Sequence, residues 1–485
     1  MTGLLVCGTS SDAGKSALVT GLCRVLARRG VDVVPFKAQN MSNNSMVCPD
    51  GAEIGRAQYL QATAAGVTPE ASMNPVLLKP GTDRRSFIVL MGEAAGELEA
   101  GEYATGRRQL AEAAFDAYSR LAADHELVIC EGAGSPAEIN LRRGDYVNMG
   151  LARRFDIPTI IIGDIDRGGI LASLYGTWAL LDNSDRALLR GYVINRFRGD
   201  QELLDPGLDE ITRRTSMPCF GVLPWLPGVW IDGEDALQVD RWRREEAATS
   251  PTNQLTVAAV DLPRISNATD VDALAAEPGV DVQVTDDAVI CERADLVVLP
   301  GSRSTVGDLA WLRERGIADV VNRRHAQGRP VLGICGGYEM MAEQMDDEVE
   351  SRIGTVPGLG VLPVDVRFDA AKTVRVAHYR FDDLDVRGYE IHHGLCAPHG
   401  GEVFLDGVRS GNSFGTMLHG SLENDDFRRR FLSLIAAETG SGWRTDMSAP
   451  GYAARRETMI TRLADAIEEH LDVDALLALA PQAAR

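Results

Sequence analysis

Two segments of this 485-residue chain carry residue types that perform phosphate and acyl chemistry. The first, GTSSDAGKS at residues 8–16, follows an apolar run and ends in a lysine and a serine. The second, VLGICGGY at residues 331–338, places Cys335 at a predicted turn between a strand and a helix. A nucleotide loop supports phosphate activation, and a nucleophilic thiol cleaves acyl or amide bonds. Together they predict glutamine-dependent amide synthesis, in which amide nitrogen is transferred to an activated acid.

The first segment has the features of a Walker-type loop. Its glycines let successive backbone N–H groups turn toward phosphate oxygens at a helix N-terminus, while the lysine and serine serve the terminal phosphates and Mg²⁺. Five residues rather than four separate Gly8 from Gly14, but a strand before the loop and a helix after it support the prediction. The alternative is a glycine-rich turn with a solvated lysine. The predicted nucleotide-binding residues are Gly8, Thr9, Ser10, Asp12, Gly14, Lys15 and Ser16.

Two further polar residues stand at the ends of predicted strands. Glu131 follows the apolar run at 127–130, and Asn195 follows the run at 191–194. Ligands of open α/β sheets gather at the carboxyl edge of the strands. We therefore predict that Glu131, together with Ser16, binds Mg²⁺ and that Asn195 contacts an adenine edge. The alternative for each is a turn residue that satisfies nearby backbone groups.

A thiol nucleophile needs a histidine base and backbone donors for the oxyanion. His419 follows an apolar stretch and precedes a glycine, so we predict that it reaches the same sheet edge; His392 and His393 are competitors. Gly301 and Gly336 are the predicted oxyanion donors. The helix N-terminus at the turn is expected to lower the cost of forming the thiolate. The alternative is an inert buried cysteine, although its flanking glycines would then waste packing surface.

Short apolar strands alternate with amphipathic helices along most of the chain, which is typical of α/β proteins. The first alternation predicts a doubly wound P-loop domain over residues 1–235. A polar, charged stretch at 236–254 predicts a linker. A second alternation predicts another α/β domain over 255–440, followed by a helical tail at 441–485.

The composition excludes several classes of protein. A net charge of -21 argues against general binding to nucleic acid, while local basic groups such as Lys37 still permit an anionic small substrate. Eight scattered cysteines without a CxxC pair argue against disulfides and zinc, and favour a reducing cytoplasm. No apolar run approaches the length of a membrane span, and a predicted strand and loop occupy the place of a signal peptide.

These motifs resemble those of the CobB/CobQ-type glutamine amidotransferase family. The second half looks like a class I glutamine amidotransferase domain, with Cys335 as nucleophile and His419 as base. Ser421 stands where that class usually has a glutamate, a departure that resembles the corrinoid-amidating branch. The first half resembles the dethiobiotin synthetase-like P-loop fold, whose loop carries the same one-residue extension.

The resemblance extends over almost the whole chain. It has one departure, at Ser86-Phe87-Ile88, where a polar residue after the serine is more usual. The further segments that carry the resemblance are PFKAQNM at 35–41, MNPVLLKP at 73–80, GDIDRGG at 163–169, LPRISN at 262–267 and GYEIH at 388–392.

What the resemblance implies is ATP- and glutamine-dependent amidation of the b, d, e and g carboxylates of adenosylcobyrinic acid a,c-diamide, in cobalamin biosynthesis. It implies ATP and Mg²⁺ as cofactors, an acyl phosphate intermediate, and a corrinoid and glutamine as the partners; the oligomeric state stays open. Solvated loop residues are the alternative at each acceptor-side position. The residues predicted to line the acceptor side of the cleft are Lys37, Gln39, Asn40, Asp145 and Asp166.

Two alternative functions share some of these motifs. Cobyrinic acid a,c-diamide synthase shares both domains, but the segments at 36–40 and 73–75 argue against it. A partner-binding switch ATPase with a related P-loop is the rival from another class. Such ATPases carry an extra lysine near the start of the loop, where this chain has Thr9 and Ser10, and they have no use for a cysteine elbow.

Overall fold

The structure, a computed structural model, describes residues 3–81, 85–99, 103–229 and 254–480. The linker predicted at 236–254 lies outside the described residues apart from Gln254. Two large sheets organise the rest, one formed by each half of the chain: the first is parallel, and the second has five parallel strands and two antiparallel ones. The predicted α/β fold class is confirmed.

The first half alternates strands with helices, as its apolar pattern predicts. Its strands are β1 (Gly3–Gly8), β2 (Val33–Phe36), β3 (Gln39–Met41), β4 (Ser45–Val47), β5 (Glu53–Gly55), β6 (Val76–Pro80), β7 (Arg85–Leu90), β8 (Glu93–Glu99), β9 (Leu127–Glu131), β10 (Thr159–Asp164), β11 (Leu189–Phe197) and β12 (Cys219–Pro224). Its helices are α1 (Lys15–Arg28), α2 (Arg56–Ala65), α3 (Tyr103–Asp124), α4 (Met149–Phe155), α5 (Ile170–Leu180), α6 (Asn183–Arg186) and α7 (Asp205–Thr215).

Six of these strands form a parallel sheet in the order β12-β11-β10-β1-β9-β2. Every residue of β1, β9 and β10 is buried, which parallel strands covered by helices on both faces require. Because the chain passes from β1 to one side of the sheet and later to the other, the loops after β1, β9 and β10 meet at one edge. A smaller sheet of β3, β6, β7 and β8 and a hairpin of β4 and β5 extend from this core.

The second half begins again with short buried strands. Its strands are β13 (Leu255–Val260), β14 (Ile265–Ser266), β15 (Val280–Thr285), β16 (Leu296–Leu299), β17 (Gly301–Ser302), β18 (Val331–Ile334), β19 (Gln344–Asp347), β20 (Gly354–Pro357), β21 (Val364–Phe381), β22 (Leu384–Pro398), β23 (Glu402–Phe404), β24 (Gly407–Ser410) and β25 (Ser413–Thr416). Its helices are α8 (Thr269–Ala275), α9 (Ala288–Arg293), α10 (Thr305–Glu314), α11 (Ile317–Ala326), α12 (Gly336–Met340), α13 (Asp425–Thr439), α14 (Tyr452–His470) and α15 (Val473–Leu479).

The sheet of the second half has the order β15-β13-β16-β18-β25-β24-β23, with its first five strands parallel. Strands β18 and β25 are direct neighbours, and Ile334 at the end of β18 pairs with Thr416. The loops after these two strands therefore emerge side by side. The long hairpin of β21 and β22 belongs to a separate four-stranded sheet.

The last two helices return to the first half of the molecule. On α1, Gly21 permits close packing, because a Cβ there would lie 2.2 Å from Ile467 Cδ1 of α14. Ion pairs of Arg24 with Glu457 and of Arg28 with Asp465 of α14 flank this contact. The residues predicted as a C-terminal tail thus contribute to the core around the first sheet. Among the helices that the structure describes, none has the length and apolarity needed to cross a membrane.

Candidate active sites

The nucleotide loop connects β1 to α1 at the carboxyl edge of the first sheet. Gly14 has a φ of 98°, and a Cβ there would lie 2.0 Å from Asn195 Nδ2, so this position requires glycine. Lys15 begins α1, and its Nζ donates to Ser10 O over 3.1 Å, which folds the side chain back along the loop. Asn195 Nδ2 donates to Ala13 O over 3.0 Å. The Asn195 side chain therefore braces the loop, and its contact with adenine stays a prediction.

Glu131 collects polar groups behind the loop. Lys37 Nζ lies 2.8 Å from Glu131 Oε1, and Ser16 Oγ donates to the same oxygen over 2.9 Å. Gln61 Nε2 donates to Glu131 Oε2 over 2.6 Å. Burial by itself disfavours the carboxylate, but Lys37, Gln61 and Lys15 outweigh it and hold the pKa of Glu131 below its ordinary value. The structure thus brings together three residues of the sequence prediction, Ser16, Lys37 and Glu131.

A cavity of about 890 Å³ opens beside this loop. Trp225 and Leu226 supply an apolar wall, and Arg455 and Arg462 of α14 supply a basic one. Gly8, Thr9, Ser10, Glu131 and Asp166 are absent from the described lining. The predicted site residues that line the cavity are Asp12, Gly14, Lys15, Ser16, Lys37, Gln39, Asn40, Asp145 and Asn195.

The acceptor-side candidates differ in what their side chains contact. Asp145 accepts from three backbone N–H groups at the start of α4, at 2.8–2.9 Å, so its carboxylate supports the local turn. Gln39 accepts from the hydroxyl of Tyr146, and Asn40 Nδ2 donates to a buried glutamine. Asp166 lies outside the cavity lining, with its Oδ1 3.6 Å from Arg198 Nε.

Cys335 occupies the turn directly after β18. Its φ is 51°, a conformation that few non-glycine residues adopt, and its N–H donates to Thr416 O over 2.8 Å. The glycines that follow permit close backbone approach. A Cβ on Gly336 would lie 2.7 Å from Ser302 N, and one on Gly337 would lie 2.0 Å from Leu299 O. The sequence of this turn is therefore dictated by its contact with the neighbouring loop.

His419 lies three residues beyond β25 and is completely buried. Its Nδ1 lies 2.7 Å from Asp270 Oδ2, and the adjacent Gly420 N–H donates to Asp270 Oδ1 over 2.6 Å. The His419 Nε2 atom has no hydrogen-bond partner among the described residues. Tyr389 stacks on the imidazole, with ring centroids 5.5 Å apart. An acid at Nδ1 with Nε2 unengaged is the arrangement that a general base requires.

Asp270 is the residue of this site that the sequence reasoning missed. Ser421 stands where the class usually has a glutamate, and the sequence left open which group orients His419. The acid comes instead from the first turn of α8, 149 residues earlier in the sequence. The missing glutamate was the available signal, because a buried imidazole base still requires a partner at Nδ1.

The expected effect of the helix N-terminus on the Cys335 thiolate is smaller than that of burial, and the two have opposite signs. Burial raises the pKa of Cys335 well above its ordinary value, and the nearby Glu339 raises it further, against a smaller opposing effect of the Gly336 N–H. The helix that follows, α12, spans only five residues. The thiol is therefore neutral at rest, and its Sγ lies 3.9 Å from Ile391 O. Ionisation needs a proton acceptor.

The other predicted residues of this site differ in position: Gly301 lies beside His419, whereas the two competing histidines lie on β22. Gly301 touches the imidazole, since a Cβ there would lie 2.9 Å from His419 Cε1. His392 Nδ1 lies 2.7 Å from Gly394 O, and His393 Nδ1 lies 2.9 Å from a backbone oxygen. Burial lowers the pKa of His393 to about 4. Neither has the acid partner that His419 has at Nδ1.

A nucleotide loop on one sheet and a thiol with an acid–imidazole pair on another define the class, a nucleotide-dependent glutamine amidotransferase. The family description "CobQ/CobB/MinD/ParA nucleotide binding domain" matches residues 4–238, and "CobB/CobQ-like glutamine amidotransferase domain" matches residues 256–427. The chain belongs to the family of cobyric acid synthases, glutamine-dependent ligases of cobalamin biosynthesis.

Curated relatives match this chain from end to end. A cobyric acid synthase of Cutibacterium acnes is 66% identical, with 99% of this chain and 100% of the relative covered. Cobyric acid synthases of Mycolicibacterium gilvum and Streptomyces coelicolor are 52% and 54% identical, covering 99% and 98% of this chain and 97% and 95% of their own lengths. The predicted family and enzyme class are confirmed.

Proposed function

We propose that this chain catalyses ATP- and glutamine-dependent amidation of the b, d, e and g carboxylates of adenosylcobyrinic acid a,c-diamide. The observation that carries the proposal is a thiol site with a buried acid–imidazole pair on the same chain as a nucleotide loop, in a full-length relative of cobyric acid synthases. The eight cysteines are all free, which favours a reducing cytoplasm as the location.

The first step activates the acceptor, because a free carboxylate is a poor acyl group. The backbone N–H groups of residues 8–16 and Lys15 hold the phosphates of ATP and stabilise the charge of the transferring phosphoryl group. Phosphoryl transfer to a corrinoid carboxylate forms an acyl phosphate and ADP. The basic wall of the cavity, formed by Arg455 and Arg462, is suited to the remaining carboxylates of the substrate.

Ser16 and Glu131 are the residues that would hold Mg²⁺. Ser16 Oγ and Glu131 Oε1 lie 2.9 Å apart beside the phosphate loop, so two oxygen donors of the kind that Mg²⁺ prefers are adjacent there. Both are oxygen ligands, and the pKa of Glu131 lies below its ordinary value, so the carboxylate is ionised. Mg²⁺ would neutralise developing charge on the phosphates.

The second step releases ammonia at the thiol. His419 Nε2 takes the Cys335 proton, and the thiolate attacks the carboxamide carbon of glutamine. Asp270 holds the imidazole at Nδ1 and stabilises its charged form, while the backbone N–H groups of Gly301 and Gly336 serve the oxyanion. Breaking of the C–N bond releases ammonia with the proton from His419, and water then hydrolyses the glutamyl thioester to glutamate.

The third step joins the two sites. Ammonia attacks the acyl phosphate carbon, phosphate leaves, and the carboxylate becomes an amide. Four rounds convert the b, d, e and g side chains and give adenosylcobyric acid. Each round consumes one ATP and one glutamine.

Mass spectrometry of the corrinoid product tests the proposal. The purified chain is incubated with ATP, Mg²⁺, glutamine labelled with ¹⁵N in its amide, and adenosylcobyrinic acid a,c-diamide. We expect up to four ¹⁵N amides and four ADP per corrinoid, with mono- to tri-amidated species at early times. A parallel incubation supplies cobyrinic acid in place of the a,c-diamide. Incorporation of ¹⁵N at positions a and c alone in that incubation would instead identify the a,c-diamide synthase reaction. Hydrolysis of ATP without any amide product would contradict both.

A further inference from the structure

One hairpin of the nucleotide-binding half reaches the surroundings of the thiol site. Residue Val47 of β4 packs with Tyr389 and Ile391 of β22, and Tyr389 is the ring that stacks on His419. Arg56, at the start of α2, has its Nη2 2.6 Å from Oε1 of Glu423, which follows His419 in the chain. The nucleotide-binding half is therefore part of the packing around the imidazole.

The same hairpin forms two hydrogen bonds with the short segment 265–270. Ser45 N–H donates to Asn267 Oδ1 over 2.8 Å, and Ala268 N–H donates to Asn44 Oδ1 over 3.2 Å. Asn44, Ser45 and Asn267 are each no more than 3% exposed. We call Asn44, Ser45, Asn267 and Ala268 the interdomain clamp.

The segment held by the clamp carries both supports of the thiol site. Its first two residues form β14, which pairs with β17 so that Ser266 lies opposite Gly301, the predicted oxyanion residue that touches the imidazole. Its last residue is Asp270, the acid at His419 Nδ1. Between them Asn267 has a φ of 51°, a conformation that asparagine tolerates better than most residues. Displacement of this turn would move the oxyanion strand and the acid together.

We propose that the interdomain clamp positions Asp270 and Gly301, so that Asn44 and Asn267 are positioning residues for glutamine hydrolysis although neither is placed at the reacting atoms. The inference rests on the proposed roles of Cys335 and His419. Small displacements of a catalytic group, of about 1 Å, lower rates by about 10²-fold. Loss of the clamp therefore affects the chemical step at the thiol and leaves phosphoryl transfer intact.

The test compares single variants of the clamp in the full-length enzyme with corrinoid and ATP present. Asn44→Ala removes the acceptor for Ala268, and Asn267→Gly removes the acceptor for Ser45 while permitting the positive φ. We expect each to lower kcat with glutamine by about 10- to 100-fold, with KM for glutamine within about threefold and ammonium-dependent synthesis unchanged. Asn267→Asp keeps the acceptor oxygen and is expected to retain activity within about threefold of the wild type.

Asn43→Ala is the matched control, because Asn43 Nδ2 donates to Pro80 O over 3.4 Å, within the nucleotide-binding half. It should keep normal kcat with both nitrogen sources. A double-mutant cycle separates positioning from general destabilisation: Asn44→Ala should add little to Asp270→Asn, because the acid it positions is already lost. Normal glutamine kcat in Asn44→Ala, an equal loss with ammonium, or full additivity with Asp270→Asn would each overturn the proposal.

Cys335→Ala, assayed alongside, distinguishes the two levels of inference. If Cys335→Ala still uses glutamine, the proposed function of the thiol site is wrong. If it loses glutamine use while Asn44→Ala behaves as the wild type, only the role of the clamp is wrong.

Discussion

The two sites place ionisable groups in equally buried positions and treat them in opposite ways. Glu131 is completely buried, yet Lys37 and Gln61 keep its pKa below the ordinary value. Cys335 is also buried, but it has an acidic neighbour in Glu339, and its pKa lies well above the ordinary value. The difference shows that burial alone does not set the charge of a site; the groups that accompany the buried residue do. The nucleotide site is ionised at rest, whereas the thiol site is neutral until a base removes its proton.

The largest expected effect separates the two sites by nitrogen source. Cys335→Ala should lower glutamine-dependent synthesis by at least about 10³-fold, since it removes the nucleophile, and should retain synthesis from ammonium. Lys15→Ala should lose synthesis from both sources, because the acceptor is no longer activated. Initial rates of corrinoid amidation with glutamine and with ammonium chloride measure both. If Cys335→Ala also lost synthesis from ammonium, Cys335 would be needed for the synthetase reaction as well. That result would contradict the separation of the two sites.

The next largest effect concerns the acid that orients the imidazole. Asp270→Asn should lower glutamine-dependent kcat by about 10²- to 10³-fold, because the asparagine favours the wrong tautomer of His419. Ammonium-dependent synthesis should be unchanged. Ser421→Ala is the matched control, since this residue occupies the usual position of the acid in the sequence. An equal loss of glutamine-dependent kcat in Asp270→Asn and Ser421→Ala would contradict the role of Asp270 in orienting His419.

A smaller effect on rate and a clear effect on stability are expected from Glu131→Gln. The change removes the carboxylate of the buried Lys37–Glu131 ion pair, and removal of one partner from a buried pair typically costs about 3–5 kcal/mol. The rate with either nitrogen source should fall by about 10- to 100-fold, and more Mg²⁺ should be needed for half-maximal activity. Unfolding in urea and Mg²⁺ titrations measure these outcomes.

The pH dependence of that variant has a defined sign. Because the folded-state pKa of Glu131 is lowered, its ionisation stabilises the wild type above the unfolded pKa of about 4.3, and this contribution disappears as the pH falls through the folded pKa. The stability difference between wild type and Glu131→Gln should therefore narrow in acid. A difference that widens below pH 4 would contradict the pairing.

The smallest effect tests the acidic neighbour of the thiol. Burial raises the pKa of Glu339 to about 7, and its charge in turn raises the pKa of Cys335. Glu339→Gln should shift the pH profile of Cys335 alkylation by iodoacetamide to lower pH by about 0.5–1 unit, a three- to tenfold faster reaction at pH 7. The variant should also lose a pH dependence of the free energy of unfolding. In the wild type, the raised pKa of Glu339 contributes stability that is fully present below about pH 4.3 and is lost as the pH rises through 7. An unchanged alkylation profile would show that Glu339 does not act on the thiol.

The two sites also differ in how much of each could be predicted from the sequence. The loop at residues 8–16 is local, and the hydrogen bond from Lys15 Nζ to Ser10 O lies within it, between one strand and one helix. Glu131 and Asn195 were also found, because parallel strands end at one edge of the sheet. The hydrogen bond from the Asn195 amide to Ala13 O was not predicted, since it depends on the tertiary packing of the loop.

At the thiol site the sequence supplied Cys335 and His419, since each follows a short apolar strand and is bordered by glycine. It did not supply Asp270, which reaches the imidazole from a different element of the fold. It predicted the contribution of the helix N-terminus to the Cys335 pKa but not the larger opposing effects of burial and of Glu339, which are properties of the packed site.

The sequence by itself determined the alternation of strands and helices and the nucleotide loop, and it predicted Cys335 as nucleophile and His419 as base. These features depend on residue type and short spacing, which local backbone geometry converts directly into position. Only the tertiary structure decided which acid orients His419, that the final helices return to the first sheet, and that a hairpin of one half supports the active site of the other. Contacts between residues more than a hundred positions apart depend on how the sheets pack, and no local pattern specifies that.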